Sequence, residues 1–235
     1  MRMSAMDNGQ KRPEPATACG DPTSRTFPLT IHPLTYENAS AAARLYAEVF
    51  LHDEPTTRHH ALDPDTFLSL ADFYVRTLVE KELSFVAMDE TTGELVGFIF
   101  AFDLTHDPAS DGEPMVRLIE SFCNTVAMID ELEDRYLNRA GILPGSVLHI
   151  FQIGTARNHR GAGIAPALIR SLLYHAKERG YRSAIADCTG SVSKNVFLCC
   201  GFVEHGHFPY ADFRNKGGAF FSGLPGGISL LQRDL

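Results

Sequence analysis

Arg160-Gly161-Ala162-Gly163-Ile164-Ala165 is the stretch whose reading decides the fold. It follows an apolar run at 147–153 and opens an apolar run of helical period at 164–176. The order is therefore strand, glycine-containing turn, helix. A helix start leaves N–H groups without intrahelical partners, and the macrodipole places its positive end there, so the arrangement suits an anion such as a phosphate. Glycines at 161 and 163 let a ligand approach the backbone, because no Cβ intervenes.

The composition narrows the classes. The chain has 235 residues, enough for one large domain or two small ones. Its formal net charge of −8 and pI near 5.6 argue against nucleic acid as a partner. An acidic surface tolerates a cationic substrate such as an amine. The five cysteines (Cys19, Cys123, Cys188, Cys199 and Cys200) are odd in number and include no CxxC pair, so neither a disulfide framework nor a zinc site is expected. Reduced thiols fit a cytoplasmic location. No apolar run reaches the roughly 18 residues of a membrane span, and 1–25 lacks the apolar centre of a signal peptide.

Residues 1–25 are polar and proline-containing and read as a flexible tail, leaving 26–235 as a single domain. A first strand is expected at 27–32, then a helix at 36–50 that breaks into Leu51-His52-Asp53-Glu54-Pro55, since a residue preceding proline leaves the α region. Asp63 or Asp65 can cap a second helix at 66–82. Strands at 84–88 and 95–104 flank a hairpin turn in which Gly93 can take positive φ, and Gly97 marks a bulge or a place where a ligand approaches. A helical pattern at 115–139, continuous or broken, carries Glu120, Asp130, Glu131, Glu133 and Asp134, either as a solvated face or as a lid over an acceptor pocket. The central strand at 147–155 is apolar enough to be buried on both faces. A helix at 165–179 ends at Gly180, a strand runs 182–188, a short helix runs 191–200, and a last pair of strands is expected at 202–208 and 219–224. The sum is a mixed α/β sheet containing one parallel crossover.

These residues resemble the GNAT superfamily of N-acetyltransferases. The family signature Gln/Arg-x-x-Gly-x-Gly/Ala is matched by Arg160, Gly163 and Ala165, and Asn195-Val-Phe-Leu-Cys-Cys-Gly201-Phe202 is similar to its downstream motif ending in Gly-Phe. The resemblance, which covers about 27–224, implies a mostly antiparallel central sheet flanked by helices and splayed at its fourth strand. It implies acetyl-CoA or another acyl-CoA as co-substrate, with no metal. The pyrophosphate would sit on Gly161, Ala162, Gly163, Ile164 and Ala165, with Arg160 adding charge. Ile153, Gly154 and Thr155 would offer backbone groups to the pantetheine, as a strand is added to a sheet edge, and Asn195 would touch the pantetheine.

An amine must lose a proton before it attacks a thioester, and an acid can protonate the leaving thiolate. Glu54 lies in a segment similar to the Asp-Glu-Pro of insect-type arylalkylamine N-acetyltransferases, where the Glu is the proposed base. His149 matches one of two strand histidines of the vertebrate-type enzymes, while Phe151 stands at the other. The family's usual acid is a tyrosine four residues before the Gly-Phe; here Phe197 stands there and cannot donate. Tyr210, Cys199 and Ser193 are substitutes, Cys199 also a packing residue. The expected activity is transfer of an acetyl or other acyl group to a primary amine of a small molecule, a polyamine included, by direct attack in a ternary complex. Alternatives are a long-chain N-acyl synthase fed by fatty acyl-CoA or acyl carrier protein, with apolar helices at 67–79 and 115–129 lining a tunnel, and a non-catalytic acyl-CoA sensor. Members of the family are often homodimers, and no residue of this sequence decides the oligomeric state.

Overall fold

The computed structural model describes residues 27–235; the tail expected at 1–25, with Cys19, lies outside them. A seven-stranded sheet runs through the described residues in the order β1-β2-β3-β4-β5-β7-β6. The strands are β1 (Leu29–Pro33), β2 (Phe85–Asp89), β3 (Glu94–Asp103), β4 (Val147–Thr155), β5 (Ser183–Cys188), β6 (Val203–Pro209) and β7 (Gly227–Asp234). Every pairing is antiparallel except β4 with β5. No helix among the described residues is long and apolar enough to cross a membrane.

The helices are α1 (Tyr36–Asp53), α2 (Pro55–His60), α3 (Pro64–Lys81), α4 (Glu113–Ser121), α5 (Cys123–Tyr136), α6 (Ile164–Glu178) and α7 (Ser191–Cys199). On one face of the sheet α6 buries Ile164, Leu168, Ile169 and Leu172 against Ile99, Leu148, Ile150, Ala184 and Ala186. On the other, α1 and α3 cover β2 and β3 through Tyr46, Phe67, Tyr74, Phe98 and Phe100. A third cluster lies under α5, where Met128, Ile129 and Leu132 meet Ile185, Phe208 and Leu230. The period-2 alternation of strands thus turns Ala184 and Ala186 toward α6, and Ile185 and Asp187 toward α5.

Two expectations are corrected. The final strand is not 219–224 but β7, so the last pair is β6 with β7. Residues 219–224 form turns in which Phe221 is fully buried and Gly223 takes φ +83°, a conformation that does not extend a strand. The chain after Glu54 is helical rather than a plain break: Pro55 has the fixed φ suited to the first helical position, and the Glu54 side chain caps α2. Of the two forms left open for the pattern at 115–139, the broken one holds: there are two helices, with Phe122 between them outside the helical region (φ −110°, ψ 19°). Gly97 marks the expected bulge, and what approaches it closely is a helix of the chain itself. The β2–β3 register shifts beside it, and a Cβ there would come within 2.6 Å of the Ile164 side chain, so its absence lets the start of α6 press onto β3.

Two irregularities in β4 position everything that follows. Phe100 pairs with Gln152 and Ala101 with Ile150, leaving Phe151 as an extra, bulged residue. The parallel pairing with β5 ends at Ile150 and Ala186. Beyond it the two strands part. Gly154 sits on this parted segment, where a Cβ would collide with the Phe98 ring and approach Val49 of α1 at 3.2 Å. Gly154→Ala is therefore expected to lower stability by about 1–3 kcal/mol through overpacking, read from denaturant unfolding; wild-type stability would contradict the close approach.

Candidate acyl-CoA and acceptor site

The parting of β4 from β5 opens into a cavity of about 1750 Å3. That exceeds the 300–1,000 Å3 of an ordinary ligand pocket and leaves room for two substrates. One side of it is built from backbone. Residues 151–155 of β4 pair with β3 only, so their other edge faces the cavity, and Ile153, Gly154 and Thr155 line it. Gly161 and Gly163 take φ +79° and +76°, which bends the chain into α6. No side chain caps α6, and Pro166 removes one donor of its first turn, so the amides of Gly163 to Ala165 are what the helix presents. Arg160, Gly161, Ala162, Gly163, Ile164 and Ala165 all lie on the cavity wall.

Arg160 is not idle in this structure. Its guanidinium donates to Asp53 Oδ2 at 2.5 Å, and Arg157 donates to Oδ1 of the same carboxylate at 2.6 Å. The bond from Arg157, then Arg160, holds the Asp53 carboxyl down at about 2 despite some desolvation. Asp53 ends α1, immediately before Glu54, so this ion pair ties the phosphate turn to the joint carrying the candidate base.

The acceptor side has an apolar wall and a polar floor. Tyr46 and Phe50 of α1, Phe102 of β3, Phe122, Ile129 of α5 and Phe151 supply the apolar part. At the floor, His149 Nε2 lies 2.8 Å from Asp187 Oδ2 and 3.7 Å from Glu133 Oε1. Glu133 is fully buried, and Arg139 pairs with its Oε2. Burial pushes the Glu133 carboxyl up, to about 7; His149 and Arg139 pull it down and Asp187 adds to the rise. Burial opposes a charge on His149, but its bond to Asp187 and the proximity of Glu133 outweigh this and hold the imidazole above the usual histidine range.

Glu54 also faces the cavity. Its carboxylate accepts from Thr56 N at Oε1 (2.9 Å), and from Thr56 Oγ1, Thr57 N and Thr57 Oγ1 at Oε2 (2.9, 2.5 and 2.6 Å). It is a helix cap first; Oε1, with one donor, is the oxygen with room for a water.

Of the remaining candidates, Cys199 and Ser193 line the cavity. Asn195 is exposed and does not border the cavity, where α7 presents Ser191, Ser193 and Val196. Tyr210 is buried away from the wall, donates its hydroxyl to the Thr189 carbonyl at 2.6 Å, and is pushed well up by burial, so it is ill placed as the acid. Phe197 lines the cavity but has no proton to give. Sequence reasoning missed Asp187 and Asp53 and left Glu133 among general surface acids. The signal for Asp187 was a single acid inside the apolar strand Ala184-Ile185-Ala186-Asp187-Cys188.

The sequence profile of the Acetyltransferase (GNAT) family matches residues 46–202. The chain belongs to this family, and with it to the N-acyltransferases. It is 28% identical over 108 residues to human (Homo sapiens) N-acetyltransferase 8B, a match covering 43% of this chain and 44% of that protein. The chain thus spans less than half the length of that curated relative. Among solved structures it is similar to the C-terminal condensation domain of Ebony in complex with β-alanyl-dopamine, with a TM-score of 0.75, 17% identity, and 89% of this chain and 100% of that one covered. It is also similar to arylalkylamine N-acetyltransferase 2 of Aedes aegypti, with a TM-score of 0.70, 16% identity, and 88% and 98% covered. At such identities the likeness speaks for the fold.

Gly163→Val would force a β-branched residue into positive φ at the start of α6 and fill the approach to its amides. CoA affinity is expected to fall at least tenfold, about 1.4 kcal/mol, in a calorimetric titration. Unchanged affinity would remove the donor from this turn.

Proposed function

We propose that the chain moves an acetyl or other acyl group from acyl-CoA to the primary amine of a small molecule, by direct attack within a ternary complex. The single observation that carries this reading is that the open edge of β4, the amides of 161–165, Glu54 and His149 all border one cavity. The pyrophosphate rests on the turn, the pantetheine adds to the free edge of β4 as an extra strand, and the thioester reaches the bulge at Phe151. The amine enters from the α1 and α5 side. Holding both reactants in one cavity supplies much of the rate. Glu54 and His149 are the groups offered to the amine as bases, His149 directly and Glu54 through a water at Oε1.

The acceptor is an amine with an aromatic or apolar body, which suits the wall formed by Tyr46, Phe50, Phe102 and Phe151 and parallels the arylalkylamine relative. Polyamines belong in the same panel. One observation favours a second reading: Met115, Leu118, Ile119 and Phe122 extend the apolar wall along α4. A long acyl chain, delivered by fatty acyl-CoA or acyl carrier protein, would be accommodated there.

Acetyl-CoA and palmitoyl-CoA, each offered with arylalkylamines and polyamines and followed by free-thiol release, separate the two. Faster turnover of acetyl-CoA with an arylalkylamine is expected. Preference for palmitoyl-CoA would make the chain a long-chain synthase, and CoA binding without thiol release from any amine would end the proposal. In the same assay Glu54→Gln is expected to reduce kcat by about 10- to 100-fold, on the scale of one base in proton transfer, with CoA affinity unchanged. An undiminished kcat would leave Glu54 as a helix cap alone.

A further inference from the structure

Two buried carboxylate oxygens stand without a hydrogen-bond partner among the described residues: Glu133 Oε1 and Asp187 Oδ1. Both belong to the floor of the acceptor arm. They come from elements far apart in sequence, α5 and β5, brought together by the third core cluster. A buried anionic oxygen left unpaired keeps the full cost of its desolvation. Two such oxygens on neighbouring carboxylates are satisfied together by one proton held between them, since like charges at short range cannot both remain ionised. The groups around them fit that count. Arg139 takes the other oxygen of Glu133 and also reaches Asp130, and His149 takes the other oxygen of Asp187.

We propose that Glu133, Asp187 and His149 form one proton-sharing unit, in which the two carboxyls hold a proton between their orphan oxygens and together set the basicity of His149, the member that takes the acceptor's proton. This rests on the acyl-transfer reading of the cavity. His149 borders the cavity and turns Nε2 to Asp187; the proposal assigns Nδ1 to the amine or a water, which makes His149 the catalytic residue. Asp187 and Glu133 are positioning residues. The raised Glu133 carboxyl is consistent with a shared proton at neutral pH.

The step balances. The acceptor ammonium gives one proton to Nδ1 of neutral His149. The freed nitrogen lone pair forms the C–N bond, and the C–S bond breaks with its electron pair on sulfur. The second nitrogen proton ends on that sulfur as CoA thiol. His149 then returns its proton to solvent. Phe197 takes no part, which accounts for its tolerance at the position where the family usually has tyrosine.

The test reads the unit in the free protein, so that its failure is distinct from failure of the acyl-transfer reading. NMR titration of labelled histidine, with His149→Gln to assign the signal, should show His149 protonating above the ordinary value of about 6.5. Asp187→Asn removes the anion that favours the imidazolium, so the His149 midpoint should fall by about one unit, a tenfold loss of proton affinity. The inflection in the kcat–pH profile should move with it. Infrared difference spectra of wild type against Glu133→Gln at neutral pH should reveal a protonated carboxyl band missing from the variant; this second variant decides the matter should Asp187→Asn fail to fold. A His149 midpoint unmoved in Asp187→Asn, or no protonated carboxyl in wild type, would overturn the unit. So would stoichiometric binding of Zn2+ that is lost in Glu133→Gln, which would give the orphan oxygens to a cation.

Discussion

The structure depends on the end of pairing between β4 and β5 at Ile150 and Ala186. A sheet interior normally satisfies every backbone group, and an unpaired buried edge is costly. Here one strand keeps its partner on the β3 side and surrenders the other. The bulge at Phe151 bends β4 at that point, and the two halves of the sheet then follow different cores, one under α1 and α3, the other under α5. The cavity between them is what a ligand carrying its own amides would fill. The fork therefore sets both requirements at once: an edge for a strand-like donor and a floor where β4 and β5 are still paired and can hold His149 against Asp187.

Charge is distributed along this cavity by the same logic. At the mouth, Arg157 and Arg160 stand beside the turn into α6 and share the single carboxylate of Asp53, which leaves a net positive charge. A donor pyrophosphate would compete with Asp53 for Arg160, so the phosphate end and the α1–α2 joint share one guanidinium. At the floor, Arg139 and His149 face Glu133, Asp187 and Asp130. The two charged ends are separated by the aromatic wall, where apolar groups of donor or acceptor displace water and strengthen whatever electrostatics remain.

The strand–turn–helix at 147–178 was legible in the sequence because it depends on local features. Glycines at 161 and 163 between an apolar strand and an apolar-periodic helix specify a turn and a helix start without reference to anything distant. Gly93, Gly180 and the cap at Asp63 were readable for the same reason. The acceptor end depends on tertiary proximity. Glu133 shares its helix with Glu131 and Asp134, which are solvent-facing; only the docking of α5 on β6 and β7 distinguishes it. Asp187 stood alone in an apolar strand, but its meaning required knowing that β5 pairs with the half of β4 carrying His149. The final strand was misplaced because Phe220 and Phe221 suggested an extended run, whereas they serve as packing residues in a turn.

A structure with a stable acyl-CoA thioester analogue tests the fork most directly. The expected result has the pyrophosphate within hydrogen-bond distance of the amides of 161–165, the pantetheine paired with the free edge of β4 at Ile153 to Thr155, and the sulfur at the parting of the strands, on the side open to His149. A pyrophosphate bound elsewhere, or a pantetheine that does not pass between β4 and β5, would contradict it.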